Sequence, residues 1–295
     1  MDQAQKLREL MVHQADPPPP RARVLAVTSG KGGVGKSNIS VSLGIAAASH
    51  GRDVVLLDGD LGLANIDVIL DVQAAYNLSH VISGEVTVDD ALISAPGGVR
   101  VLPGAAGMTR MADMSTPEHQ LFLKNLEQLE ERSELIIVDT GAGISRRVID
   151  FCLAAGEVLV VTTPEPTAIA DAYAMIKVLG QAEPTLRLWL LVNMATHRAE
   201  AEQILDRIIT LSERFLSMEV RRAGIVLSDP RVPHSVRRRV PFTLAYPSSQ
   251  AALGITDVAR TLGLEKHKLG SEGFFRRMTS LLRGQRSPAA VEERR

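Results

Sequence analysis

The segment from Gly30 to Ser37, Gly-Lys-Gly-Gly-Val-Gly-Lys-Ser, has the residue types and the spacing of a phosphate-binding loop. Its glycines let the backbone turn sharply and point several N–H groups at one phosphate chain. Lys36 is placed to bridge the β- and γ-phosphates of a nucleotide, and the Ser37 hydroxyl is placed to ligate Mg²⁺. The segment therefore predicts a nucleotide with Mg²⁺ as the ligands of this protein.

The sequence on both sides supplies the elements that such a loop needs. Residues 24–27 are predicted to form a buried strand before the loop, and residues 37–49 a helix after it, whose dipole favours a phosphate. A glycine-rich turn that matched the pattern by chance would not need this strand and helix. The residues expected to hold the nucleotide here are Gly30, Gly32, Gly33, Val34, Gly35, Lys36, Ser37 and Asn38.

Two other apolar runs lead into acidic residues. Residues 53–58 are a predicted strand that continues into Gly59 and Asp60, and residues 135–138 lead to Asp139. Because parallel strands end at one edge of a sheet, we expect these carboxylates to lie beside the phosphate loop. Asp139 has the Walker B position and would hold Mg²⁺, with the small turn at residues 140–143 sensing the γ-phosphate. Asp58 either lies near the metal or has a structural role. For Asp60, the alternative to a role at the nucleotide is a plain acidic turn between a strand and a helix.

Strands and helices alternate along most of the chain. Residues 158–161, 186–192 and 224–227 are further predicted strands. The fold class is therefore α/β, with a single doubly wound, mostly parallel sheet covered by helices on both faces. We predict one large domain over residues 21–268, between an N-terminal segment, 1–20, and a tail, 269–295.

Composition excludes several classes of protein. A net charge of −1 argues against a globally basic nucleic-acid binder. Cys152 is the only cysteine, which rules out disulfides within the chain and fits a reducing compartment. Without a signal-peptide core or an apolar run long enough to span a bilayer, we expect a cytoplasmic location.

The two termini have patterns of their own. Residues 2–11 could form a short amphipathic helix, which the stiff spacer Pro17 to Pro20 would uncouple mechanically from the domain. A docking peptide and a disordered terminus both remain open for this segment. In the tail, apolar residues at helical spacing lie opposite arginines, a pattern typical of a helix on an anionic membrane, although a helix docked on the core is the alternative. The apolar residues are Phe274, Phe275, Met278, Leu281 and Leu282.

Lys31 adds a second lysine to the phosphate loop. The resulting Lys-Gly-Gly-Val-Gly-Lys-Ser resembles the deviant Walker A motif of the MinD/ParA ATPases. The resemblance implies ATP hydrolysis in an ATP-bound homodimer, in which Lys31 reaches the phosphates of the other subunit. We expect Lys31 to have no partner in its own site, although a solvated lysine is the alternative.

The same resemblance assigns further roles. Lys31, Lys36 and Asp60 become the catalytic residues, with Asp60 orienting the attacking water and lying with Ser37 and Asp139 around the metal. It also places Asn193 and Asp229 beside the adenine. A plain polar residue at the end of a strand is the alternative for Asn193.

The N-terminal sequence Asp-Gln-Ala-Gln-Lys-Leu-Arg, residues 2–8, is similar to the motif of the MinD-like flagellar-number regulators called FlhG, FleN or YlxH. The resemblance covers nearly all of the chain. It implies that Gln3 stimulates the signal-recognition-type GTPase FlhF and that flagellar C-ring components are delivered at the membrane. The tail would then be a membrane-targeting helix that holds the protein reversibly at the inner face of the cell membrane.

Other functions of related proteins fit the sequence less well. A ParA-type ATPase that partitions DNA needs a basic surface and has no use for an apolar tail. An iron–sulfur carrier needs paired cysteines, and a tyrosine kinase of related fold usually ends in a tyrosine cluster, whereas Tyr246 is the last tyrosine here. A nucleotide-gated scaffold with negligible turnover stays open.

Overall fold

A computed structural model of the protein describes residues 21–60, 66–104, 126–266 and 273–282. Within these ranges, eight strands form one sheet in the order β3-β4-β2-β5-β1-β6-β7-β8. Every neighbouring pair is parallel except β3 and β4, which form an antiparallel hairpin at one edge. The strands are β1 (Arg23–Ser29), β2 (Val54–Gly59), β3 (Ile93–Ala95), β4 (Val99–Leu102), β5 (Leu135–Ala142), β6 (Glu157–Thr162), β7 (Arg187–Ala195) and β8 (Val220–Leu227).

Helices cover both faces of the sheet, and each face has its own apolar core. Successive side chains of a strand point to opposite faces, so Val24 and Ala26 of β1 join one core while Leu25 and Val27 join the other. The described helices are α1 (Lys36–Ala48), α2 (Ile66–Leu70), α3 (Leu78–Ile82), α4 (Val88–Ala91), α5 (126–132), α6 (Arg146–Ala155), α7 (Pro166–Ala182), α8 (Arg198–Leu216), α9 (Arg231–Arg237), α10 (Phe242–Ala245), α11 (Gln250–Thr261) and α12 (Phe274–Leu282). The predicted doubly wound α/β fold is confirmed.

The strand boundaries differ from the predicted ones at two places that matter for the site. β5 continues to Ala142 and so includes most of the turn predicted at residues 140–143. The sequence predicts that Asn193 follows the end of a strand, but β7 continues to Ala195 and Asn193 lies inside it. The pairing of β7 with β8 is irregular between Val192 and Ala195, where Met194 has a φ of 58°. This irregularity lets the strand continue while the residues around Asn193 leave the regular ladder.

The C-terminal helix α12 is docked on the domain. Phe274, Phe275 and Met278 are fully buried in the core on the side of α6, and Leu281 is partly buried against it. The side chain of Leu282 and the whole of residues 1–20, including Gln3, lie outside what the structure describes. In the described ranges, no helix combines the length and the apolar character that crossing a membrane requires.

Candidate nucleotide site

The phosphate loop, residues 30–37, lies at the carboxyl edge of the sheet between β1 and α1, as predicted. Gly33 and Gly35 have φ values of 83° and 85°, which favour glycine over residues with a Cβ. Gly30 is needed for a different reason, because a Cβ there would lie 2.2 Å from the backbone oxygen of Asp171. The loop conformation therefore depends on its glycines both for backbone angles and for space.

Lys36 and Asp139 meet at the base of this loop. The Lys36 Nζ lies 2.8 Å from Asp139 Oδ1, and both side chains are buried. Ser40, one helical turn after Lys36, donates its hydroxyl to the same Oδ1 at 2.9 Å. Asp139 Oδ2 is buried and has no hydrogen-bond partner among the described residues.

A buried carboxylate oxygen without a partner costs free energy, so Asp139 Oδ2 suits a cation or a water held by one. Mg²⁺ prefers hard oxygen ligands and keeps several waters, and the hydroxyl of Ser37 and the carboxylate of Asp139 are groups of that kind. The donor set at this place therefore fits the Mg²⁺ that the sequence predicts. Ser40 was not predicted, since a serine inside a helix carries no signal of its own.

Asp58 and Asp60 have different surroundings. The Asp58 carboxylate is buried and accepts hydrogen bonds from the backbone N–H of Asp60 at 3.1 Å and of Ile66 at 3.4 Å. These bonds favour the structural role for Asp58. The Asp60 side chain faces the carboxyl end of β5, since a Cβ built on Gly141 would lie 3.7 Å from Asp60 Oδ1. Asp60 is thus brought to the edge where Asp139 and the phosphate loop lie.

Lys31 does have a partner in its own chain, contrary to prediction. Its Nζ lies 2.5 Å from Glu165 Oε1 and donates to Thr167 Oγ1 at 2.8 Å. The hydrogen bond from Lys31 lowers the pKa of the Glu165 carboxyl below its ordinary value. Lys31 and Glu165 are 36% and 55% exposed, and an ion pair as exposed as this is weak enough to exchange for a phosphate.

Glu165 and Thr167 were missed by the sequence reasoning. They lie after β6, which pairs with β1, so their position at the carboxyl edge next to the phosphate loop was the available signal. Their contact with Lys31 depends on the path of the loop, which spacing does not give.

Asn38, Asn193 and Asp229 line one cavity of about 140 Å³ beside the phosphate loop. Asn193 Nδ2 donates to the backbone oxygen of Val34 at 2.8 Å, which fixes the amide against the loop. Asp229 Oδ1 accepts from the N–H of Arg231 at 2.9 Å, at the start of α9. Asn193 and Asp229, predicted to lie beside the adenine, therefore line the same cavity as Asn38, predicted to hold the nucleotide at the phosphate loop.

The chain is similar to several known proteins. A family model for ParA, described as NUBPL iron-transfer P-loop NTPase, matches residues 21–262. The antiactivator FleN of Pseudomonas aeruginosa is 40% identical over 238 residues, which are 81% of this chain and 85% of that protein. The flagellum site-determining protein YlxH of Helicobacter pylori is 32% identical over 88% of this chain and 90% of its own length. A MinC:MinD cell division complex from Aquifex aeolicus superposes with a TM-score of 0.65 and 27% identity, covering 85% of this chain and all of that one.

Proposed function

Since the chain belongs to the ParA family of P-loop NTPases and is a MinD-like ATPase, we propose that it is an ATP-dependent switch that regulates the number and placement of flagella. The name of the Helicobacter pylori relative supports the flagellar role. In this proposal ATP joins two copies into a homodimer, and the dimer binds an anionic membrane surface reversibly from the cytoplasm.

In this proposal, each residue at the phosphate loop has its own task in ATP hydrolysis. Lys36 neutralises the β- and γ-phosphates, and Ser37 and Asp139 hold Mg²⁺, which when bound offsets charge on the phosphates. Asp60 orients the attacking water. Lys31 leaves Glu165 and supplies its positive charge to the phosphates of the other subunit as negative charge develops in the transition state.

One observation carries the membrane part of this proposal. The apolar stripe of α12 is buried mainly against α6, and α6 begins at Arg146, just after the short turn that follows β5, the strand of Asp139. A change of that turn with nucleotide would therefore reach the surface on which α12 is docked. Burial of each large apolar side chain is worth about 1.5–3 kcal/mol in either environment, so docking and membrane insertion compete for the same residues.

The test uses vesicles that contain anionic lipid. We expect them to recruit the protein better with ATP than with ADP, and Asp60→Ala, which binds ATP and hydrolyses it slowly, to be recruited most persistently. Static light scattering should show a dimer of Asp60→Ala with ATP and a monomer with ADP. Equal recruitment in both nucleotide states would make α12 a constitutive anchor, and a monomeric Asp60→Ala with ATP would exclude the homodimer.

The N-terminal segment supports a separate activity in this proposal. A peptide of residues 1–20 should stimulate an FlhF-type GTPase, because the amide of Gln3 can orient a water or contact a phosphate. Gln3→Ala should abolish the stimulation while ATP hydrolysis by the full protein stays unchanged. A wild-type peptide without effect on the GTPase would remove this part of the function.

Delivery of flagellar C-ring components is the last activity in the proposed function. We expect C-ring proteins to sediment with vesicles only when this protein and ATP are both present. Sedimentation that does not depend on this protein would contradict the delivery role.

A further inference from the structure

Glu130 in α5 touches both ends of the described domain. Its side chain is completely buried, and its Oε1 accepts a hydrogen bond of 2.7 Å from the backbone N–H of Phe275 in the first turn of α12. Its Oε2 lies 3.4 Å from Nη1 of Arg21, whose side chain is 20% exposed. One carboxylate therefore contacts the start of the docked helix and the residue that follows the spacer Pro17 to Pro20.

Arg21 also contacts the start of α12 directly. A Cβ built on Gly273 would lie 2.1 Å from Arg21 Nη1, so the guanidinium occupies the space that a side chain would need there. The next residue, Ala22, is held by a hydrogen bond of 2.8 Å from its N–H to the backbone oxygen of Glu130. Arg21 thus connects residues 1–20 to a fixed point of the domain.

The charge of Glu130 depends on Arg21. Burial raises the pKa of the Glu130 carboxyl, and the neighbouring Glu127 adds repulsion, while the N–H of Phe275 and Arg21 act against both. Arg276 is engaged by Glu127 at 2.8 Å. The guanidinium of Arg277 lies beside Gly156, at the end of α6. Among the described residues, Arg21 is the cation within ion-pair distance of Glu130, and a buried carboxylate that loses its cation is strongly destabilising.

We propose that Arg21 is the release point of α12: its ion pair with Glu130 holds the C-terminal helix docked, and separation of this pair frees the helix. This inference rests on the proposed membrane function of α12 and adds its regulation. The Arg21–Glu130 pair and the nucleotide then act on the same docked helix.

Hydrogen–deuterium exchange of residues 273–282 in the full-length protein with ADP tests this release point. We expect Arg21→Ala to exchange about tenfold faster than wild type, because its Glu130 carboxylate lacks a cation. The double variant Arg21→Ala/Glu130→Gln should exchange like wild type, since a neutral amide still accepts the N–H of Phe275 and needs no cation. Arg132→Ala, in the same helix as Glu130, is the matched control, because both side chains of its ion pair with Asp89 of α4 are exposed. Wild-type exchange in Arg21→Ala, or equally fast exchange in the double variant, would overturn the proposal.

These measurements contain no membrane. Fast exchange of Arg21→Ala without recruitment to vesicles would therefore refute the membrane function and support the release point.

Discussion

At the residue scale, the contact between Lys36 and Asp139 determines which interaction a nucleotide must replace. Each group neutralises the other in a buried position, so a nucleotide must replace Asp139 as the anion that Lys36 faces. The same exchange operates at Lys31, whose carboxylate partner Glu165 takes the place of a phosphate. Both lysines of the loop are thus held by acids in this conformation, one buried and one exposed.

Replacement of Lys36 tests the buried contact. We expect Lys36→Ala to lower the affinity for ATP by roughly 100-fold or more, because a charge-assisted contact to phosphate is lost and the Asp139 carboxylate is left without its cation. Fluorescent ATP analogues would measure the affinity. Lys177→Ala, which removes an exposed lysine from α7, is the control and should bind ATP like wild type. Retained affinity in Lys36→Ala would exclude the assigned role.

Glu130 gives a pH-dependent prediction. Its pKa in the folded protein is raised above the ordinary 4.5, so the folded state binds more protons than the unfolded state just above that pH. The stability due to this group is present below the ordinary pKa and is lost as the pH rises through the folded pKa. Urea unfolding of wild type and Glu130→Gln should therefore diverge with rising pH, Glu130→Gln becoming relatively more stable. Glu131→Gln, at an exposed position of the same helix, should show no such divergence.

At the element scale, the turn between β1 and α1 can follow its path only with glycine at certain positions. Gly30→Ala should destabilise the protein by about 1–3 kcal/mol, because the new Cβ meets backbone atoms of Asp171 that cannot move aside as a flexible side chain would. Gly32→Ala is a close control, since a Cβ there meets nothing within 4 Å. Thermal unfolding without nucleotide separates packing from ligand binding. Equal melting temperatures of the two variants would contradict this account of the loop.

The docked helix gives a second prediction at this scale. Phe275→Glu would place a carboxylate in the core, at a cost of several kcal/mol, about 3–5 by analogy with other buried charges, so α12 should undock. The undocked helix should still fail to bind anionic vesicles because its apolar stripe is interrupted. Proteolysis of the tail and vesicle sedimentation measure the two effects. Phe215→Glu, at a position 64% exposed, should change neither.

The sequence alone was enough to place the site residues that lie near strand ends. Lys36, Asp139 and Asp60 could be placed together because the carboxyl ends of parallel strands meet at one edge of the sheet. The contact of Glu130 with Phe275 could not be predicted, since it joins residues 145 positions apart and uses the backbone N–H of Phe275, which the helical spacing of apolar side chains does not place. The hairpin of β3 and β4 was not predicted either, because both strands are short and β3 is only partly buried.

At the scale of the whole molecule, the site and the docked helix lie on one continuous path. The phosphate loop contacts Asp139 in β5, the turn after β5 leads to α6, and α6 packs against α12. Since the two faces of the sheet have separate cores, a change on the α6 side can proceed while the core containing α1 and α11 stays packed. The fold therefore allows local release of the helix without unfolding of the domain.

The two edges of the sheet matter once many copies gather on a surface. Crowding on a membrane raises the chance that exposed strand edges pair between molecules, which is a route to aggregation. One edge is the short strand β3, and the other, β8, carries Arg221 paired with Glu219 and Arg222 paired with Glu202 and Asp206. A short strand and a charged strand are poor templates for pairing. If the protein binds membranes as proposed, its copies should therefore stay separable at high density.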